Sequence, residues 1–258
     1  MIIGDKVLND EVFVKLGVKL EENKLGEKCS TNNILGEVYS LLPIAQQKEW
    51  NKDGNGKLNP NHVFTVGYHA GKRTLLESAA MKGHSSLIRH FVDAGVDVNK
   101  TGSSDEGSIL LTIATIGRYS CISELLKCNA NIKAEDSNGN TILHVIAANN
   151  MGFKENNNLK ILELLMQPEY KNKLNINAKN DNGEAPLHLA ANNGYKEVAS
   201  LLVRNGADHL IKDNKHCAAI DYVKEHVKEE WNRDVFTPST ALEAGKIERI
   251  EQEKFLSN

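Results

Sequence analysis

Aromatic residues are scarce in this chain: Phe, Trp and Tyr together make up 5% of its 258 residues. The formal net charge is only −3, which gives no indication of a general electrostatic attraction to nucleic acid or to a membrane surface. No apolar run approaches the length that a transmembrane helix needs, so no membrane insertion is expected. The first residues, Met-Ile-Ile-Gly-Asp-Lys, lack the basic-then-apolar order of a signal peptide. These absences favour an intracellular, cytoplasmic protein.

Motifs for catalysis and metal binding are also missing. The four cysteines, at positions 29, 121, 128 and 217, form no CxxC pair and fit no zinc template. We therefore expect reduced thiols. The chain contains no P-loop, GxGxxG, HExxH or GxSxG motif, so neither a cofactor nor a metal site is predicted.

What the chain does contain is a segment that recurs along it. The copies read Thr74-Leu-Leu-Glu-Ser-Ala-Ala, Ser108-Ile-Leu-Leu-Thr-Ile-Ala, Thr141-Ile-Leu-His-Val-Ile-Ala-Ala and Ala185-Pro-Leu-His-Leu-Ala-Ala. A decayed fifth copy begins at Ala218, and the starting positions lie 34, 33, 44 and 33 residues apart. Each of the first four copies opens with a helix-capping Thr or Ser, or with a first-turn Pro. Each is followed by a second amphipathic stretch, and three of them by a helix-ending Gly.

This period and the T-P-L-H-x-A-A pattern resemble the ankyrin-repeat family over about residues 71 to 226. The resemblance implies a mainly all-α fold, an ankyrin-repeat solenoid of about four to five helix-turn-helix repeats joined by short hairpin turns. It also implies that His144 and His188 hydrogen-bond within and between repeats. The scarcity of aromatic residues fits such a stack, because its core consists of thin aliphatic layers.

We divide the chain into three parts. Residues 1–70 form an N-terminal capping segment, with a helix near 33–48. The repeats follow, at 71–100, 101–134, 135–178, 179–212 and a terminal cap at 213–226. Residues 227–258 form a C-terminal extension that is helical over 240–256. The third repeat carries insertions at 151–158 and 168–173, and the turn at 101–107 is long.

Two features of the N-terminal segment stay open. The alternation of apolar residues over 12–20 suits a strand, but Val12, Phe13, Leu16 and Leu20 suit a helix equally well. The segment either shields the first repeat or is itself a diverged repeat without the motif.

Residues 51–62 resemble part of a calcium-binding loop. Oxygen donors and a glycine fall at suitable positions, but Asn51 opens the loop and His62 stands where a bidentate glutamate is needed. We favour a polar turn.

The resemblance also places a binding surface. In this family the hairpin tips and the exposed ends of the first helices line one concave face that is free to contact a partner. The tip positions are Lys72, Arg73, Glu106, Ser137, Asn138, Asn140, Asp181, Asn182, Glu184, Asn214 and Lys215. The helix-end positions are Met81, Lys82, Thr115, Ile116, Asn149, Asn150, Asn192 and Asn193. Among them Met81 and Ile116 are the expected apolar anchors.

The implied function is a non-catalytic, monomeric scaffold that binds a protein partner and no nucleic acid. The Lys/Asn-rich composition and the tail Glu248-Arg-Ile-Glu251-Gln-Glu253 also resemble ankyrin-repeat effectors that intracellular bacteria inject into host cells. Two alternatives remain: an enzyme using Cys29, His62 and His69, and a calcium-regulated adaptor.

Overall fold

The computed structural model describes most of the repeats and parts of the segment before them. The described residues are 13–16, 34–42, 44, 47–48, 50, 58–66, 71–102, 108–149 and 157–236. Antiparallel strands β1 (Val63–Val66) and β2 (Gly71–Thr74) pair with Val63 opposite Thr74. The α-helices are α1 (Ile34–Leu41), α2 (Leu75–Lys82), α3 (Ser85–Asp93), α4 (Ile109–Ile116), α5 (Tyr119–Lys127), α6 (Ile142–Ala148), α7 (Asn157–Leu165), α8 (Pro168–Lys171), α9 (Pro186–Asn192), α10 (Lys196–Arg204) and α11 (Lys228–Trp231). Two 3₁₀-helices, Ala219–Tyr222 and Glu225–Val227, precede α11, and the π-helix Asn232–Phe236 follows it.

The helices stack in two layers. In the first layer α2, α4, α6 and α9 pack in order, and the 3₁₀-helix Ala219–Tyr222 packs on α9. In the second layer α1, α3, α5, α7 and α10 pack in order, and the π-helix Asn232–Phe236 packs on α10. Each repeat supplies one helix to each layer, so the predicted all-α solenoid is confirmed.

Local sequence explains where the first-layer helices begin. Thr74 Oγ1 accepts a hydrogen bond from the Glu77 N–H at 3.2 Å, while the Thr74 N–H donates to Glu77 Oε2 at 2.7 Å. These two bonds form the predicted capping box at the start of α2. Ser108 Oγ accepts from the Leu111 N–H at 3.4 Å at the start of α4. The first-layer helices therefore begin at the recurring motif.

Glycine ends these helices as the sequence predicts. Gly83 after α2 and Gly117 after α4 have φ values of 91° and 70°, in the left-handed region that side chains disfavour. The Gly83 N–H donates to the carbonyl oxygen of Ala80 at 3.0 Å. The chain thereby reverses into the second helix within a few residues.

The core confirms why few aromatic residues are needed. Between neighbouring repeats the buried side chains are mainly Leu, Ile, Val and Ala, such as Ala79, Ala114 and Ala147. Large buried rings are concentrated at the two ends of the stack: Phe13, Trp50 and Phe64 before the first repeat, and Trp231 and Phe236 after the last. The outermost layers, which lack a further repeat to pack on, are closed by aromatic residues.

The N-terminal segment joins the stack more closely than the sequence indicated. Asn59 Oδ1 accepts from the Asn61 N–H at 2.9 Å, just as Asp97 Oδ1 accepts from the Asn99 N–H at 2.9 Å. Asn61 Oδ1 accepts from the Asp97 N–H at 2.7 Å, and Asn99 Oδ1 accepts from the Asn131 N–H at 2.8 Å. Residues 59–61 thus repeat the inter-repeat turn one step before the first recognised repeat.

Other elements of this segment refine the expectations. Residues 13–16 are helical, with Phe13 and Leu16 buried and Val14 exposed, as the helical alternative requires. Helix α1 lies within the expected range 33–48. The β1–β2 hairpin was not anticipated, and the boundary set at residue 70 falls inside it.

The C-terminal end of the stack extends further than expected. Trp231, Val235 and Phe236 are buried, and Lys196 of α10 forms ion pairs with Glu230 and Asp234. The fifth unit therefore continues to residue 236, past the boundary set at 226. The expected helix at 240–256 lies outside the described residues.

The interruptions in the period are only partly described. The insertion at 168–173 forms α8, whose Tyr170 is buried. Residues 103–107 and 151–156 lie outside the described part of the chain. None of the described helices is long and apolar enough to cross a membrane.

Candidate functional site

The hairpin tips of the later repeats share one hydrogen-bonding pattern. Asp136 Oδ1 accepts from the backbone N–H groups of Asn138 at 2.9 Å and Asn140 at 2.8 Å. Asn180 and Asp213 accept in the same way from the residues two and four positions later. An Asp or Asn at this position therefore shapes each tip and holds its outer residues in a fixed orientation.

The fourth residue of each of these tips lies in the left-handed region. Gly139 and Gly183 have φ values of 73° and 74°, as the Asn-Gly pairs predicted. In the fifth unit the same position is His216, with φ of 63°. A side chain in this conformation is strained, so we expect His216 to destabilise the last tip.

The motif histidines fix the tips to the helices. His144 Nδ1 accepts from the Thr141 N–H at 3.1 Å, so the ring proton is on Nε2, which donates to the Glu184 carbonyl oxygen at 2.9 Å. His188 likewise lies 3.1 Å from the Cys217 carbonyl oxygen through Nε2. The predicted hydrogen bonds within and between repeats are present. Thr141 is the N-cap residue, but its hydroxyl contacts His144 Nδ1 at 2.9 Å.

The first repeat makes the same connection with reversed polarity: its side chain accepts a hydrogen bond from the next repeat instead of donating one. Glu77 occupies the histidine position, is buried, and accepts from the Thr74 N–H at 2.7 Å and the Gly102 N–H at 2.9 Å. A Cβ atom on Gly102 would lie 2.2 Å from the Lys72 carbonyl oxygen, so a glycine is needed there. In the second repeat Leu111 holds the histidine position and makes no such bond. Sequence reasoning identified Glu77 only as a capping residue.

Adjacent tips are joined to each other. Asn180 Nδ2 donates to Asn140 Oδ1 at 2.9 Å, and the Asp181 N–H donates to the Asn138 carbonyl oxygen at 3.0 Å. The Asn214 N–H repeats this bond to the Asn182 carbonyl oxygen at 3.1 Å. The tips of the third to fifth repeats thus form one continuous polar ridge.

Two of the predicted contact asparagines also brace the stack. Asn149 Nδ2 donates to the Thr115 carbonyl oxygen, and Asn193 Nδ2 lies 3.4 Å from the Ala147 carbonyl oxygen. Each amide thereby satisfies the C-terminal end of the preceding first-layer helix, whose carbonyl groups lack helical partners. Counted from the N-cap, Asn149 and Asn193 are equivalent, whereas Asn150 lies outside the described residues.

The other predicted contact residues differ in exposure. Lys72, Lys82, Thr115, Ser137, Asn138, Asp181, Asn182, Asn192, Asn193, Asn214 and Lys215 are exposed, and Arg73, Asn140, Asn149 and Glu184 are half-buried. Met81 and Ile116 are half-buried against the core, so only part of each is available to a partner. Glu106 lies outside the described residues.

A cavity of about 610 Å³ lies between the tips and the first-layer helices of the second to fourth repeats. Its tip side is lined by Asp136, Asn138, Asn140, Asn180, Asn182 and Glu184. Its helix side is lined by Thr115, His144, Val145, Ala148, Asn149 and Leu189. Six residues of the predicted surface are therefore brought together: Thr115, Asn138, Asn140, Asn149, Asn182 and Glu184.

The charge of this cavity is negative. Burial acts to raise the pKa of Asp136, but hydrogen bonds from the Asn140 side chain and from the Asn140 and Asn138 N–H groups outweigh it and lower that pKa. Burial lowers the pKa of His144, so its ring is neutral at neutral pH. Glu184 supplies a second carboxylate, and the described residues of the lining include no Lys or Arg.

The residues of the two alternative functions, the enzyme and the calcium-regulated adaptor, do not line this cavity or lie outside the described residues. His62 is buried, with its ring centroid 4.6 Å from that of Phe64 and 6.5 Å from that of Trp50. Cys29, His69 and residues 51–57 lie outside the described part of the chain. No three described His, Cys, Asp or Glu residues are grouped so as to hold a metal ion.

Two of the three described thiols, those of Cys121 and Cys128, have the properties of packing residues. Burial raises the pKa of Cys121 to about 11 and raises the pKa of Cys128 as well. Both thiols stay protonated at neutral pH, and a protonated thiol is a poor nucleophile.

Comparison with known proteins shows which family has this architecture. The family model described as ankyrin repeats in three copies matches residues 76–153 and 151–213. Over 125 residues the chain is 30% identical to the phosphocholine transferase AnkX of Legionella pneumophila, a match that covers 48% of this chain and 12% of that protein.

Two further relatives are similar at comparable identity. The probable E3 ubiquitin-protein ligase XBOS32 of Oryza sativa is 25% identical over 180 residues, covering 59% of this chain and 35% of that protein. The putative ankyrin repeat protein FPV031 of fowlpox virus is 29% identical over 151 residues, covering 57% and 41% respectively. The chain thus spans less than half the length of each of these relatives. The family-model match and the repeating geometry together show that this chain belongs to the ankyrin-repeat family.

Proposed function

We propose that this chain is a non-catalytic scaffold that binds a partner protein through its concave surface, defined as the hairpin tips 136–140 and 180–184 with the C-terminal ends of α4, α6 and α9. Ankyrin repeats are a protein-interaction architecture. The observation that supports this surface is the 610 Å³ cavity, because it joins tips and helix ends of successive repeats.

The chemistry of the surface suits binding rather than catalysis. Both ring nitrogens of His144 are engaged by Thr141 and Glu184, so the ring is not available as a general base. The described lining has no serine or cysteine beside it that could act as a nucleophile. Amide groups dominate, and these donate and accept hydrogen bonds without carrying charge.

Affinity capture with matched variants tests this proposal. Asn138 and Asn192 are exposed on the concave surface, and their side chains make no hydrogen bond with the described residues. The pair Asn138→Arg and Asn192→Arg should remove the captured partner. The pair Ser86→Arg and Ser120→Arg adds the same charge on the second-layer helices and should retain it.

Equal capture by both pairs would place the partner elsewhere on the chain. Loss of capture by both would show a general charge effect. As a control, the circular dichroism spectrum of each double variant is compared with that of the wild type. Both spectra should match it, because all four substitutions are at exposed positions.

We further propose that the chain acts as an effector translocated from a bacterium into a host cell. Support comes from the 30% identity to a Legionella protein over 125 residues and from the glutamate-rich tail Glu248-Arg-Ile-Glu251-Gln-Glu253. A translocation reporter fused to the intact chain should enter host cells, and deletion of residues 248–258 should prevent entry. Equal translocation with and without the tail would refute the role of the tail, and no translocation of the intact chain would refute the proposal.

A further inference from the structure

We infer that the partner inserts an arginine side chain into the cavity between the tips and the first-layer helices of the second to fourth repeats. This inference rests on the proposed scaffold function and names the chemistry of the partner. It follows from the charge, the open acceptors and the apolar lining residues of that cavity.

The negative charge of the cavity disfavours an acidic side chain of the partner. Asp136 and Glu184 bring two carboxylates, His144 is neutral, and none of the described residues that line the cavity is cationic. Desolvating this pair without a counter-charge is unfavourable, so a cation on the partner is the complementary group. The predicted surface has four cationic residues, and none of them is among the described residues that line the cavity: Lys72, Arg73 and Lys82 belong to the first repeat, and Lys215 belongs to the tip of the fifth unit.

Asp136 and Glu184 differ in how their oxygens are used. Asp136 Oδ1 accepts from two backbone N–H groups, and its Oδ2 accepts from Asn140 Nδ2 at 3.0 Å. Glu184 Oε2 receives only long bonds from the amides of Asn180 and Asn182, at 3.2 and 3.3 Å. No donor among the described residues reaches Glu184 Oε1. Glu184 is therefore the carboxylate that is open to a ligand.

Further acceptors lie on the same side of the cavity. The Asn138 side-chain amide is exposed and makes no hydrogen bond with the described residues. The Oδ1 atom of Asn182 accepts none from them either, since this side chain uses only Nδ2. The two asparagines occupy equivalent positions on successive tips, and Glu184 follows Asn182 by two residues. Three residues with unused oxygen acceptors, on two successive tips, thus line the cavity.

A guanidinium group fits this arrangement better than an ammonium group. It presents five N–H donors in a plane, so it can bond a carboxylate and amide oxygens on separate tips at once. It is also more weakly hydrated than an ammonium group, which lowers the cost of entering the cavity. The aliphatic portion of arginine can pack on Val145 and Leu189 of the helix side.

A peptide selection tests the inference on the intact chain. A phage-displayed library of random dodecapeptides is selected on the full-length protein, and the affinity of the recovered peptides is measured with four variants. Arginine should be enriched over lysine at one position. Glu184→Gln should weaken the binding of these peptides about 10-fold or more, because a hydrogen bond to a charged group is lost. Asn138→Ala should weaken it less.

The control Glu163→Gln removes one carboxylate from the exposed surface of α7 and should change the affinity less than about twofold. Glutamine retains the oxygen that accepts from Asn180 and Asn182, so Glu184→Gln should unfold at the wild-type temperature.

The outcomes separate the two proposals. Peptides that lose binding to the Asn138→Arg and Asn192→Arg pair, but show no arginine enrichment or no response to Glu184→Gln, overturn the arginine inference and leave the scaffold standing. Peptides that bind that pair as well as wild type, or a library that returns no binder, contradict both.

Discussion

Replacing Glu77 by the family's own histidine should destabilise this protein. Glu77 Oε2 accepts from two N–H groups, those of Thr74 at 2.7 Å and Gly102 at 2.9 Å. A neutral imidazole has one acceptor nitrogen and one N–H, so in Glu77→His one of the two backbone donors would face a ring N–H. A buried donor without an acceptor costs about 1–3 kcal/mol.

Thermal unfolding and hydrogen exchange measure this effect. For a chain of this size 1 kcal/mol corresponds to roughly 2–4 °C, so Glu77→His should lower the unfolding temperature by about 2–12 °C. Because the affected repeat lies near the end of the stack, it can open locally while the other repeats stay folded, and this opening contributes to its hydrogen exchange. The Gly102 N–H should exchange faster, while the repeats after Thr141 should keep their protection.

The reciprocal substitution provides the matched control. In His144→Glu the carboxylate can still accept from the Thr141 N–H, but it would face the Glu184 carbonyl oxygen, which now receives a donated hydrogen bond at 2.9 Å. Both exchanges should therefore destabilise. Stability of Glu77→His equal to or above wild type would refute the assignment of reversed polarity.

Three further substitutions or reactions have expected outcomes. His216→Gly should raise the stability in urea unfolding by about 1 kcal/mol, because His216 has a φ of 63°, and no gain would contradict the assigned strain. Tyr222→Phe removes a hydrogen bond to Asp213; burial acts to raise the pKa of Asp213, but this bond and two backbone bonds lower it. Stability from a lowered carboxyl pKa is present above about pH 4 and is lost as the pH falls through the folded pKa. The wild type should therefore exceed Tyr222→Phe at pH 7, and their difference should shrink below pH 4; a difference independent of pH would contradict the coupling. Iodoacetamide at neutral pH should modify half-buried Cys217 before buried Cys121, whose pKa burial raises to about 11, as mass spectrometry would show, and the opposite order would refute this burial pattern.

The repeat phase was predictable because each motif residue has a local task. Capping by Thr74, reversal at Gly117 and the histidine bonds of His144 are each determined within a few residues of sequence or by the next repeat in register. The turn at 59–61 was not predictable, because Asn59-Pro60-Asn61 has no recognisable motif beside it. It is recognised by two hydrogen bonds, from the Asn61 N–H to Asn59 Oδ1 and from the Asp97 N–H to Asn61 Oδ1. Only the folded chain brings Asp97 close to Asn61.

The candidate surface was predictable in outline but not in detail. Periodicity identifies which positions leave the core, and the cavity contains six of them. It does not show that the Asn149 and Asn193 amides bond to the preceding helix, since that depends on the spacing between layers. It also does not show that Met81 and Ile116 are half-buried, or that Trp231 and Phe236 extend the last unit.

The central claim is that the partner lies on the concave surface. Calorimetric titration of the captured partner, carried out with wild type and with both arginine pairs, tests this most directly. The Asn138→Arg and Asn192→Arg pair should reduce the affinity at least about tenfold, equal to about 1.4 kcal/mol, while the Ser86→Arg and Ser120→Arg pair should match wild type. Unchanged affinity for the concave-surface pair, or an equal loss for the second-layer pair, would contradict the claim.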